Sequence, residues 1–349
     1  MSYRFRGTSL LNSVPVAAGM VCISMAAFAA DINYHVTDTT HLPGGVKWDY
    51  LTYDAGSHHL FITHGDAVDV FDTEDKKIVG TIPDTNGVHG VALAMDIGRG
   101  FTSNGKAGTV TIFELSSLKP IGTVPTEKKP DAIVYDITTK RIFAANGESN
   151  SISVIDAVAG KNIGTIALDG KPEFEAVDGK GRLFVNLEDK NQMAVVDTRK
   201  LTVVANYNLA SDCEEPSGLS IDTKKERLFA SCHNQKMVVV DGNTGKIMSA
   251  LPIGKGTDAT IFDPGTHLAF SSNGDGTLTV IQDEGSGKYK IRQVVKTMRA
   301  ARTMALDPVS HRIYLVAAEI DHVDQPTEQQ PHPRPQLKED TFTLITTAP

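Results

Sequence analysis

The sequence predicts an all-β ring of seven four-stranded blades, a seven-bladed β-propeller, and three observations carry that prediction. An aspartate ahead of a tight polar turn returns seven times, at Asp54, Asp96, Asp136, Asp178, Asp222, Asp263 and Asp307, with separations of 42, 40, 42, 44, 41 and 44 residues. Between successive copies lie four short runs with period-2 alternation, bounded by clusters of Gly, Asn, Asp and Ser. Four short antiparallel strands in about 40 residues make one propeller blade, which cannot bury its faces until neighbours stack against it.

The N-terminal segment stands apart from the repeats. Arg4 and Arg6 precede a mainly apolar stretch from Val14 to Phe28, and Ala27-Phe28-Ala29 offers small residues where a signal peptidase reads. This is the layout of a secretory signal, residues 1–29, with cleavage expected after Ala29. The apolar run is shorter than the ~20 residues that a membrane span needs. Met20-Val21 ahead of Cys22 lacks the small residue of a lipoprotein site.

From residue 30 onward the elements follow one order. In each repeat a first strand runs into the aspartate, and a second run follows the turn, as in Leu60-Phe61-Ile62, Ile142-Phe143-Ala144 and Leu228-Phe229-Ala230. A loop of Gly, Asn and Ser leads to an alternating third strand, such as Thr109 to Phe113 or Ser151 to Asp156, and then a fourth, such as Ile163 to Ile166. The seventh repeat has its first strands at Thr303 to Ala305 and Ile313 to Val316 and its third at Thr341 to Thr346, with no fourth. Asn33 to Leu42 reads like an outer strand, so the N-terminal strand is expected to close the last blade. Within that blade, residues 321–340 form a proline-rich insertion, expected to be a mobile loop because proline removes donors and the segment has almost no apolar residues. His322 and His332 inside it read as solvated.

Copies such as RLFVNLEDKNQMAVVD, RIFAANGESNSISVID and RLFASCHNQKMVVVD carry the unit (R/K)-(L/I)-(F/Y)-V-x-N followed by a strand ending in V-x-D. This phrase resembles the YVTN-repeat β-propeller family, in particular its exported YncE-like members, over essentially the whole chain after the signal. The resemblance implies a propeller used for binding, with lactonases and haem-containing enzymes among more distant relatives. Blade two (RGFTSNG) and blade seven (RIYLVAAE) depart from the phrase, which marks it as structural.

Composition narrows the partners. The chain carries 34 basic and 42 acidic residues, a net charge of −8; without Arg4 and Arg6 it is 32 against 42, or −10. Such a surface repels phosphate backbones, so nucleic acid is an unlikely partner, and single-stranded nucleic-acid binding ranks last among the functional readings. With no other long apolar segment, no membrane span is expected after cleavage, and the exported protein is expected in the periplasm as a monomer. Of three cysteines, Cys213 and Cys232 remain after cleavage; they form a disulfide or stay as two buried thiols, the oxidising compartment favouring the bridge.

Loops joining successive blades and loops joining second to third strands share one face of a propeller. The start of each first strand there carries a polar residue: Asp49, His89, Asp131, Glu173 with Glu175 close by, Ser217, Asp258 and Arg302. These are expected to ring the mouth of the central channel. Asn146, Glu148, Glu188 and His233 are candidates from the second loop set. The ring suits a small polar ligand or protein partner, and its oxygen-rich composition a divalent cation; added histidine favours a transition metal. The leading reading is therefore a binding or scaffold module acting through the loop face, with no catalytic residue and no firm cofactor. The alternative is a metal-dependent hydrolase or lactonase using the acidic ring. No CxxCH, GxSxG, Walker A or HExxH motif occurs.

Overall fold

Four antiparallel strands pair in chain order within each repeat, as in the first blade, Trp48–Asp54, His59–His64, Ala67–Asp72 and Lys77–Ile82. The computed structural model describes residues 7, 32–323, 325 and 335–349. Within the unit Asn33–Pro349, blades two to six begin at Val88, Pro130, Pro172, Pro216 and Thr257 and repeat this order. The seventh blade takes Met304–Leu306, Ile313–Ala317 and Thr343–Ala348, then the strand His35–His41. Pairing of His35 with Ala348 and His41 with Thr343 supplies the missing outer strand from the N-terminal side. First strands touch their neighbours in a closed circle, the seventh returning to the first. The fold is a seven-bladed β-propeller. No helix among the described residues is long and apolar enough to cross a membrane. The signal-like segment falls outside the described residues, Gly7 apart.

Each conserved-looking letter of the repeat has a mechanical task. The aromatic of the second strand is buried in all seven blades, at Phe61, Phe101, Phe143, Phe184, Phe229, Phe270 and Tyr314. It fills the gap between blades: Phe61 lies 5.9 Å from Phe113 of the next blade, and Phe229 stacks on Phe262 of the next at 5.1 Å. In six of the seven turns the aspartate accepts the N–H of the residue two places on, as Asp54 does from Gly56 and Asp263 from Gly265. Asp96 differs, because it lies within a short 3₁₀ segment, Met95–Ile97, and its carboxylate faces Tyr135 and Lys140 of the following blade. In blades two, three and four the arginine two places before the aromatic reaches into the next blade: Arg99 donates to the carbonyls of Ala157 and Val158, Arg141 to those of Thr198 and Arg199, and Arg182 to that of Gly242, whereas Arg227 turns to Asp241 of its own blade.

One feature departs from the sequence reading. The proline-rich insertion is not loop throughout, because Ile320–Val323 and Pro335–Leu337 pair as a two-stranded ribbon. A two-stranded ribbon leaves an unpaired side on each strand, and there proline's missing donor costs nothing. His64, at the end of a second strand, is held from both sides. Its Nδ1 lies 2.7 Å from Asp69 Oδ2 and its Nε2 2.6 Å from the Gly45 carbonyl, clamping the turn between the closing strand and blade one.

Candidate functional site: a charged ring at the channel mouth

The seven polar residues expected at the mouth do gather there, and the backbone explains how. Six of them occupy the second position of a first strand, Asp49, His89, Asp131, Glu173, Ser217 and Asp258, and in every one of those blades the pairing with the second strand slips across that position. Such a bulge breaks the strict alternation of side chains and re-aims one of them. Here it turns a residue that regular pleating would send along the blade toward the mouth. Arg302, just ahead of the short strand of blade seven, completes the circle.

Direct contacts link much of the ring. His89 Nδ1 donates to Asp49 Oδ2 at 2.5 Å and stands 3.6 Å from Asp131 Oδ1. Arg302 Nε donates to Asp258 Oδ2 at 2.7 Å, and Ser217 Oγ to Asp258 Oδ1 at 3.1 Å. Thr303 Oγ donates to the Asp49 carbonyl, joining blade seven to blade one. On the far side Lys171 Nζ lies 3.4 Å from Glu173 and pairs closely with Glu188. Hydroxyls from second strands hold the ring from behind: Ser103 binds the Asp131 carbonyl and Ser272 the Arg302 carbonyl.

Half-burial in a crowd of like charges perturbs these groups. Burial pushes the Asp131 carboxyl up, and the charges of Asp49 and Asp258 add to it against the pull of His89. Glu173 rises for the same reasons, burial first and then the repulsion of Asp131 and Glu188. Burial opposes a charge on His89, yet its hydrogen bond to Asp49 and the charge of Asp131 outweigh that and raise its pKa. Arg302 is held charged by Asp258 and Asp49 although burial opposes it, and its guanidinium lies 5.8 Å from the Trp48 ring centre.

Beneath the ring two aromatic side chains span the channel. Tyr50 and Phe174, one place after Asp49 and Glu173, meet edge to face across the axis with centroids 4.9 Å apart. The same position is Gly90, Ala132, Gly218, Ala259 and Thr303 in the other blades, so five small residues leave room for two aromatic ones. Below the pair a cavity of about 320 Å³ is lined by Leu51, Val91, Ile133, Leu219, Phe262 and Met304 among others, and by no ring residue. The mouth is thus a charged dish with an aromatic floor.

Of the remaining candidates, all but Glu188 separate from the dish. Asn146 is fully buried and donates to Ser151 Oγ and Ser153 Oγ, tying the second strand to the third; Asn104 and Asn273 do the same with threonine pairs. In these three blades the asparagine is a hairpin brace, and Asn146 is not presented to a ligand; Asn186 instead donates to the Ser217 carbonyl of the next blade. Glu175 is 1% exposed and turned into the blade interface, where blades one, two, three and five place Leu51, Val91, Ile133 and Leu219. Glu148 is exposed on the loop face. Glu188 joins the dish through Lys171. His233 is exposed and bonds Glu215 at 3.0 Å, beside a disulfide joining Cys213 and Cys232. Lys171, Tyr50 and Phe174 escaped the sequence reading; the aromatic-for-small exchange one place after the ring was the visible signal for the last two. Among the described residues, one group of side chains has the spacing to hold a metal ion, Asp49, His89 and Asp131.

No family model and no curated protein matches the chain. Solved structures do match in shape. Kuenenia stuttgartiensis hydrazine synthase aligns with 79% of this chain and 94% of its own, at 15% identity and a TM-score of 0.69. A chain of the mitotic checkpoint complex covers 99% of both at 13% identity and 0.72, and U3-55K covers 90% of this chain and 99% of its own at 9% and 0.74. At these identities the similarity concerns the propeller fold alone.

Proposed function

We propose that this propeller is a binding module that docks a small polar ligand or a protein through the loop face, with the charged dish at the channel mouth as its centre. One observation carries the reading: bulges raise six polar side chains, joined by Arg302, over an aromatic floor, making a shallow recognition surface where other turns of the blades use their polar groups on themselves. The mitotic checkpoint complex is by its name an assembly, and a propeller neighbour within it accords with a docking role. The repeat phrase supports placing the chain with exported YVTN-repeat, YncE-like propellers. The Cys213–Cys232 disulfide supports an oxidising compartment such as the periplasm.

The test removes the dish chemistry while leaving the blades intact. In the triple variant His89→Ala, Glu173→Gln, Arg302→Ala, cross-linking of the exported protein in living cells is expected to lose those partners that the wild type captures on this face, mapped by mass spectrometry. An unchanged partner set with an unchanged melting curve overturns the proposal.

A further inference from the structure

The geometry points to a first-row transition-metal dication, of the Zn²⁺ or Mn²⁺ type, as a ligand of the dish, held by Asp49, His89 and Asp131. This rests on the reading of the mouth as a binding site and names one thing it binds. The three ligand atoms come from adjacent blades one, two and three and all lie within 4.8 Å of one another. Around an ion with bonds of about 2.0–2.2 Å, neighbouring ligand atoms sit ~3–3.5 Å apart. His89 Nδ1 stands 2.5 Å from Asp49 and 3.6 Å from Asp131, and the two carboxyl oxygens lie within 4.8 Å of each other, so local adjustment of these side chains brings the three to one centre.

A separate observation concerns Asp131. Its equivalent in blade six, Asp258, is satisfied by Arg302 and Ser217. Asp131, with 15% of its side chain exposed, accepts no hydrogen bond from any described residue; its nearest cationic atom is His89 Nδ1, already engaged by Asp49. One ring nitrogen thus faces two carboxyl groups. A dication would serve both at once: the Nδ1 proton leaves to solvent, the nitrogen lone pair turns to the metal, and each carboxylate gives one oxygen. One imidazole with two carboxylates suits Zn²⁺, Mn²⁺ or Co²⁺, whereas Ca²⁺ seeks six to eight oxygens, which three adjacent side chains do not offer.

Isothermal titration of the full chain with ZnCl₂, MnCl₂ and CaCl₂, after chelation and dialysis, tests this. One Zn²⁺ or Mn²⁺ per chain is expected, weakened at least tenfold by Asp131→Asn and by His89→Ala and unchanged by His233→Ala. Asp131→Asn is close to isosteric, so a preserved melting temperature separates lost ligation from lost folding. Absence of saturable uptake, uptake insensitive to both substitutions, or Ca²⁺ bound as tightly as Zn²⁺ overturns the inference. Loss of partner cross-linking in the triple variant alongside a metal-free wild type overturns this inference alone. Metal uptake with an unchanged partner set overturns the docking proposal alone.

Discussion

Glu175 sits where four other blades place a leucine, isoleucine or valine, and neither carboxylate oxygen has a hydrogen-bond partner of good geometry. Burial drives its pKa well above the ordinary carboxylate range, with only the Val134 amide favouring the charge. A raised acid binds more protons folded than unfolded, so its contribution is intact below the ordinary carboxylate pKa and is lost as pH rises toward the folded value. Glu175→Leu is expected to stabilise the protein by about 1–3 kcal/mol at neutral pH, the size of the penalty for an unsatisfied buried polar group. Chemical denaturation at pH 4 and pH 8 checks it: the variant's advantage should grow with pH. The position shows where reading the chain alone stops. KPEFEAVD placed Glu175 two residues from Glu173 and so near the ring, but the slipped pairing at Glu173 sends the two side chains to different surroundings. Nothing in the residue types signals a one-residue bulge.

Strands and their order were legible because a period of two and a turn aspartate repeat seven times, and the missing outer strand of blade seven pointed to its replacement. The asparagine ending the second strand of blades two, three and six was legible only as a loop residue. Its function as a brace depends on hydroxyls five and seven places on, as with Asn146, Ser151 and Ser153. The join between the closing strand and blade one has a chemical clamp. Both ring nitrogens of His64 face oxygen, so only the doubly protonated ring satisfies Asp69 and Gly45 together. The bond to Asp69 raises its pKa, burial opposing and the Gly45 carbonyl assisting. That stabilisation is present in full below the ordinary histidine value of about 6.5 and is lost as pH climbs through the raised one. The melting temperature of the wild type should exceed that of His64→Gln most below about pH 6, the gap narrowing toward pH 9; a gap independent of pH contradicts the clamp.

Closure makes the ring one cooperative object. Its last sheet joins His35–His41 to Thr343–Ala348, strands from opposite ends of the repeat series. Removing residues 33–41 would bare the edge of Thr343–Ala348 and leave blade seven with three strands. The expected result is a lower and broader melting transition with concentration-dependent association, measured by calorimetry and light scattering; an unchanged sharp transition would show that the ring closes without it. The aromatic pair in the channel acts on the same ring from within. Tyr50 belongs to blade one and Phe174 to blade four, nearly half a turn away, so their contact is a strut across the bore. A circle of seven stacked sheets can flatten into an oval with little change at any single seam. A rigid span resists that deformation along its own line, and it lies one residue below Asp49 and Glu173. The spacing of charges around the mouth is therefore set by a diameter as well as by the neighbours along the rim.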